Sequence, residues 1–267
     1  MGQIGFYYQR YNCNLEDFKI LAPSSTLLED ARSENLEYHT VNDIKSDDAI
    51  IPNSGSTLTI KLGINFLNRK KKKYSNVQLR AGLTYFTNNI FSYELYETEQ
   101  IRYDTVGTGS SAVYMDSLIK TQYQFHHDWK QLNCDVSLIF SMHPKGFISF
   151  GTGVGISSGV TFNATTSIQF IKSSNRLGTS ESEPTYYMWD ENGESHSEKF
   201  ENKNGINCFI YVPLEVNINF RSKNHPFWRR IHFYSGVMPG LSIVTLPGHN
   251  TISGYQVPIM AGLRVSL

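Results

Sequence analysis

Apolar and polar residues alternate along most of this chain. From Tyr255 every second residue is apolar: Tyr255, Val257, Ile259, Ala261, Leu263, Val265 and Leu267. Those between are Gln256, Pro258, Met260, Gly262, Arg264 and Ser266. A period of two belongs to a strand with two unlike faces. The same pattern predicts strands over Gln3–Tyr11, Thr57–Leu67, Asn76 to Tyr103, Tyr114–Met142, Phe147–Lys172, Ile206–Arg221, Ile231–Thr245 and Ile252–Leu267. Short turns at Arg69–Lys73 and His143–Gly146 alternate with long polar stretches, Asn14–Ser54 and Asn175–Asn204. These stretches are expected as loops, with a helical turn near Ser25–Ala31. A tall hairpin over residues 86–130 joins the third and fourth strands.

This is an all-β pattern: an eight-stranded antiparallel up-and-down β-barrel formed by a single domain, residues 1–267. Alternation alone does not say which face is inside. Volume does, because eight strands enclose a lumen just wide enough for side chains to fill. Most strands carry five or so sizeable apolar residues on one face, too many for that space. The fifth strand sets Gly151, Gly153, Gly155, Ser157 and Gly159 on the other. The apolar face is therefore expected outward, toward lipid, and the small or polar face inward.

The inward face then carries Lys61, Arg80, Asp135, Glu215 and Arg264. Buried charges need partners. Arg80 is expected to pair with Asp135 on the adjacent strand, and Glu215 with Lys61 or Arg264 across the lumen. Pro213, Pro239 and Pro258 fall at similar heights on three neighbouring strands, which predicts one common bulge or bend.

Composition narrows the function classes. The formal net charge is zero, so no global field draws in nucleic acid. The lysine run 70–73 sits at a turn, where it meets headgroups or solvent. No apolar window is long enough for a membrane-crossing helix, which says nothing about strands. Cys13, Cys134 and Cys208 form no CxxC pair, so no metal or redox centre is expected, and no cofactor. No leader-like segment precedes the first strand, so a signal peptide is expected to have been removed. His126, His127 and Asp128, and His249 with Ser253, are the residues that catalysis would use, but no second element or motif joins them.

Three segments carry a resemblance: Gln3-Ile4-Gly5-Phe6-Tyr7, Tyr211-Val212-Pro213-Leu214 and Gly262-Leu263-Arg264-Val265-Ser266-Leu267. Together they resemble small OmpA- or OmpX-like outer-membrane β-barrels of Bacteroidetes-type bacteria. The resemblance implies a porin-like, Gram-negative cell outer-membrane protein in contact with outer-membrane lipids and lipopolysaccharide. It transfers no activity. The expected role is a non-enzymatic surface or partner-binding protein with a plugged lumen. Phe91, Tyr93, Tyr103, Tyr114, Tyr123 and Trp129 on the tall hairpin are expected to form its contact surface. The alternatives are a lipid-modifying enzyme and a subunit of a larger secretion or assembly complex with a protein partner.

Overall fold

The computed structural model describes residues 1–11, 13–34, 36, 38–39, 53–66, 76–106, 113–142, 147–180, 183–189, 193–219, 231–248 and 251–265. It is mostly antiparallel β-sheet. The strands are β1 (Gly2–Tyr11), β2 (Tyr38–His39), β3 (Asn53–Phe66), β4 (Asn76–Val106), β5 (Val113–Met142), β6 (Ile148–Ser180), β7 (Glu183–Trp189), β8 (Glu194–Glu201), β9 (Ile206–Tyr211), β10 (Leu214–Asn219), β11 (Ile231–Val237), β12 (Gly240–Thr245) and β13 (Thr251–Val265). Two short helices, α1 (Leu15–Leu21) and α2 (Thr26–Ser33), follow β1.

The eight strands expected from alternation close into a ring. β1 pairs with β3 on one side and with β13 on the other. The ring runs on through β4, β5 and β6 to β10 and β11, and returns to β13. β9 continues β10 upward, and β12 continues β11, so each pair is one stave. Here the lower end is the one that holds Phe66, Asn76, Met142 and Ile148.

Pro213 and Pro239 interrupt the ladder without a bulge. Tyr211 faces Gly155 above the break and Leu214 faces Thr152 below it, which is one unbroken register. Proline has no N–H, so the ladder opens at that height. Neighbouring backbone closes the gap: Val212 N–H donates to the Pro239 carbonyl at 3.0 Å, and Met238 N–H to that of Pro258 at 2.9 Å. Pro258 itself stays within β13, opposite Tyr7.

The faces sort as their alternation dictates. Gln3, Gln9, Thr57, Thr59, Lys61 and Arg80 are buried inside the ring. Ile4, Phe6, Ile60, Leu62 and Ile64 point outward and are more than half exposed. Above the ring, β4, β5 and β6 continue as one tall sheet, which β2, β7 and β8 extend.

Two bulges mark the border between ring and sheet. One inserts a residue into β4 between Phe86 and Asn89, the other a residue into β6 opposite Asp128–Lys130. Asn88 (φ 55°) and Asn163 (φ 51°) sit at them in the left-handed region, which asparagine tolerates better than most residues. An extra residue swaps a strand's faces from that point on. So β4 turns its odd residues outward below the border and inward above it.

The stretch expected as the first long loop contains both helices. Asn14 and Asp17 form a reciprocal capping box: the Asn14 side chain accepts from Asp17 N–H at 3.1 Å, and Asp17 accepts from Asn14 N–H at 2.8 Å. Ser25 caps α2 by accepting from Leu28 N–H at 3.1 Å. The helices drop Phe18, Leu21, Leu27, Leu28 and Ala31 into an apolar core across the upper mouth of the ring. Most of the described part of the second expected loop is strand: β6 runs on to Ser180, and β7 and β8 pair with its edge.

Phe18 is fully buried while Ile20, two residues on, is 45% exposed. Phe18→Ala is expected to cost about 3–5 kcal/mol, and Ile20→Ala within about 0.5 kcal/mol. Denaturant midpoints of the two variants measure the difference.

Candidate functional site

The interior has two tiers. In the lower tier four of the five inward charges form two sealed pairs. Lys61 Nζ lies 2.6 Å from Asp135 Oδ1, and Arg80 grips Glu215 through two bonds of 2.6 and 2.9 Å. All four side chains are at most 4% exposed.

The partners differ from the expected ones, and glycines explain the exchange. Gly82 stands between Lys61 and Asp135, opposite each of them in its ladder. With no side chain there, Lys61 reaches across β4 to the carboxylate. A Cβ on Gly82 would come within 2.8 Å of Lys61 Cγ. Arg80 lies beside Ser137 rather than Asp135, so its guanidinium is left to cross the lumen. Its target, Glu215, is flanked by Gly151 on β6 and Gly236 on β11, which leaves the carboxylate open to a bidentate fork.

Tyr211 is the member that composition did not reveal. Its hydroxyl lies 2.9 and 2.7 Å from the Asp135 oxygens, and Lys61 Nζ lies 3.2 Å from that hydroxyl. Gln78 accepts from Arg80 Nε, and the Tyr234 ring lies 5.8 Å from Arg80 Cζ. Arg264 stands lower, opposite His232, and joins neither pair. Among the described residues it has no ion pair, and its Nε is buried without a hydrogen-bond partner.

The upper tier is aromatic. Phe91, Tyr93, Tyr123 and Trp129 are at most 3% exposed, so they form no outer contact surface. The β4 bulge turns Phe91 and Tyr93 inward to meet Tyr123 and Trp129, which β5 already points that way. Phe18 of α1 lies 5.4 Å from Phe91 and 5.3 Å from Phe125, and Tyr11 lies 5.5 Å from Trp129. The side chains of Tyr103 and Tyr114 lie outside the described residues.

Polar clamps tie the helices to the sheet. Glu198 of β8 accepts from the Ser25 hydroxyl, and from the Thr26 hydroxyl at 2.6 Å and backbone at 3.2 Å. That places a carboxylate at the start of α2, where the helix dipole favours it. Burial opposes the charge, but these hydrogen bonds and one from the Leu27 backbone outweigh it and hold the carboxyl below its ordinary range. Asn202 donates to the Leu21 carbonyl at 2.7 Å, and accepts from Thr166, which meets His127 Nδ1 at 2.9 Å.

The histidines do not converge. His126 and His127 are neighbours on one strand and so point to opposite faces. His127 is fully buried between Phe91 and Trp129, at ring distances of 4.9 and 5.5 Å. Asp128 accepts from Thr165 on the outer face, Ser253 is exposed at the top of β13, and His249 lies outside the described residues. Among the described residues no cluster of three or more His, Cys, Asp or Glu could hold a metal ion.

Two outcomes follow from the tiers. Glu215→Ala leaves Arg80 buried without its partner and is expected to cost about 3–5 kcal/mol. Glu16→Ala breaks only the exposed 3.1 Å pair with Arg32 and should cost at most about 1 kcal/mol. Unfolding midpoints compare them. A depressed carboxyl contributes stability above its unfolded pKa and loses it as pH falls through the folded one. The clamp at Glu198 is therefore intact at pH 7 and is lost only as pH falls below the ordinary carboxylate range. Glu198→Gln should narrow the gap in unfolding temperature between pH 7 and pH 3 relative to the native chain.

Comparison with protein-family models, with curated proteins and with solved structures found no match to this chain.

Proposed function

We propose that the ring is an eight-stranded, OmpA- or OmpX-like transmembrane β-barrel of the outer membrane. Its lumen is closed to solutes, and its non-enzymatic role is to hold the tall sheet and cap at the cell surface, where they meet a partner. One observation carries this reading: the ring is inside out. Its charges are sealed in the lumen, while Phe6 (71% exposed), Leu62 (80%), Val154 (60%), Ile206 (63%) and Leu263 (54%) line the outside. Soluble monomers rarely expose apolar patches beyond a few hundred Å², and this belt encircles the molecule.

Its height fits a bilayer. The outward apolar residues of β5 run from Leu132 to Met142. At about 3.3 Å per residue and a tilt near 40°, that span rises about 25 Å, the height of the lipid-facing band of outer-membrane barrels. Ring closure supports the same reading, because hydrocarbon accepts only segments whose backbone groups are all paired. The two interior tiers support a closed lumen: two ion pairs, one of them bidentate, fill it below, and aromatic rings with α1 and α2 fill it above.

The reading makes Val136 a discriminating position, since it is outward, 45% exposed and mid-belt. Val136→Arg should weaken folding into vesicles by about 2–4 kcal/mol, measured by urea titration in lipid. A soluble ring would gain solubility from the same change. In planar bilayers the native chain should pass no steady nanosiemens current. A detergent-independent soluble monomer, or an open porin conductance, would overturn the reading.

A further inference from the structure

The outward face of β5 changes chemistry in steps on its way up. Phe140, Leu138, Val136, Cys134 and Leu132 come first, then Lys130 and Asp128, then His126, Gln124 and Gln122. No bulge interrupts the alternation of β5, so one continuous face carries all of them.

The upper part of that face is built across four strands. Gln124 lies between Glu94 of β4 and Gln169 of β6, with Ser197 of β8 beyond. The row below it runs His126, Ser167, Lys199, with Ser92 of β4 buried at its edge, and the row above it Tyr96, Gln122, Ile171, Ser195. Between Asp128 and Lys120 the outward residues of the two central strands, Gln122, Gln124, His126, Ser167, Gln169 and Ile171, carry no formal charge. Burial pushes the His126 imidazole below its ordinary value despite nearby Asp128, so it too is neutral at pH 7. Of the charges that frame the patch, Glu94 accepts from Gln122, Asp128 accepts from Thr165, and Lys120 Nζ sits 4.9 Å from the Tyr96 ring centre, while Lys199 stands exposed at the β8 edge.

This chemistry excludes several partners. An acyl chain finds only Ile171, and an anion finds no cluster of cations. A protein hot spot would call for buried Trp, Tyr or Arg anchors in a pocket, and of these the named rows hold only Tyr96, which lies against Lys120. What it offers is side-chain amides, which donate and accept from one planar group, and hydroxyls, held at fixed strand spacings. Polyhydroxylated chains need that combination.

We propose that this face binds the neutral saccharide chains carried by the glycolipids around the barrel. The inference rests on the membrane reading above, because that reading supplies the neighbours. The side of β5 that meets hydrocarbon at Leu132 and headgroups at Lys130 and Asp128 meets their sugars at His126, Gln124 and Gln122, roughly 15–25 Å above the belt.

The test uses the full chain in detergent micelles. The micelles pass over immobilised delipidated polysaccharides: a panel of neutral O-polysaccharides and glucans, with polygalacturonate as the anionic member. The native chain should be retained on one or more neutral members. Gln124→Ala with Gln169→Ala should weaken retention roughly tenfold, since two hydrogen-bonding amides are lost. Lys203→Ala, in the exposed β8–β9 connection, should not. Vesicle insertion of each variant is the folding control. A chain that inserts but retains no neutral member, retains only polygalacturonate, or is indifferent to the double substitution overturns the proposal and leaves the barrel standing. A chain that fails to insert counts against the barrel itself.

Discussion

The ladder between β1 and β13 is the contact on which everything else depends. It turns a long sheet into a ring and leaves neither ring strand with an open edge. Because side chains alternate with a period of two, this pairing fixes which residues face the lumen. A slip of one residue would bring Ile4 inside and put Gln3 outside. On its other side β1 is held by β3, a ladder that Lys61 N–H extends by donating to the Met1 carbonyl at 2.9 Å.

Closure also sets the electrostatics. A lumen this narrow leaves little water to solvate a charge, so each acid must meet a cation directly. Glycines on the neighbouring strands make room for those meetings, at Gly82 for Lys61 and at Gly151 and Gly236 for Glu215. The bulges then divide the work. They flip β4 and β6 but not β5, so the aromatic residues of the tall sheet turn inward to hold the cap. Gln124 and Gln169 of that sheet stay on its outward face.

Much of this was legible in the sequence. The strands of the ring show a clean period of two because each has a greasy and a polar side, and Leu58, Ile60, Leu62, Ile64 and Phe66 are the clearest case. The choice of ion-pair partners was not legible, since it turns on which residue faces Gly82, and register is a property of two strands. Phe91 and Tyr93 were misplaced because one extra residue at Asn88 reverses the side chains above it, and alternation does not announce a bulge; Tyr123 and Trp129 already share the inward face of β5 with Asn133 and Asp135. Seven residues are too few for α1 to show a helical stripe, although the Asn14–Asp17 spacing carries its cap. In β8, Glu194 to Glu201 has one apolar residue, Phe200, so it has no hydrophobic period to find.

The most direct test of the account is fluorescence from one outward position. Trp129, Trp189 and Trp228 are replaced by Phe, Val136 by Trp, and the chain is folded into vesicles that carry brominated acyl chains. Residue 136 should then be strongly quenched by bromine and untouched by aqueous iodide. Quenching by iodide without quenching by bromine would put Val136 in water and contradict a membrane-embedded ring.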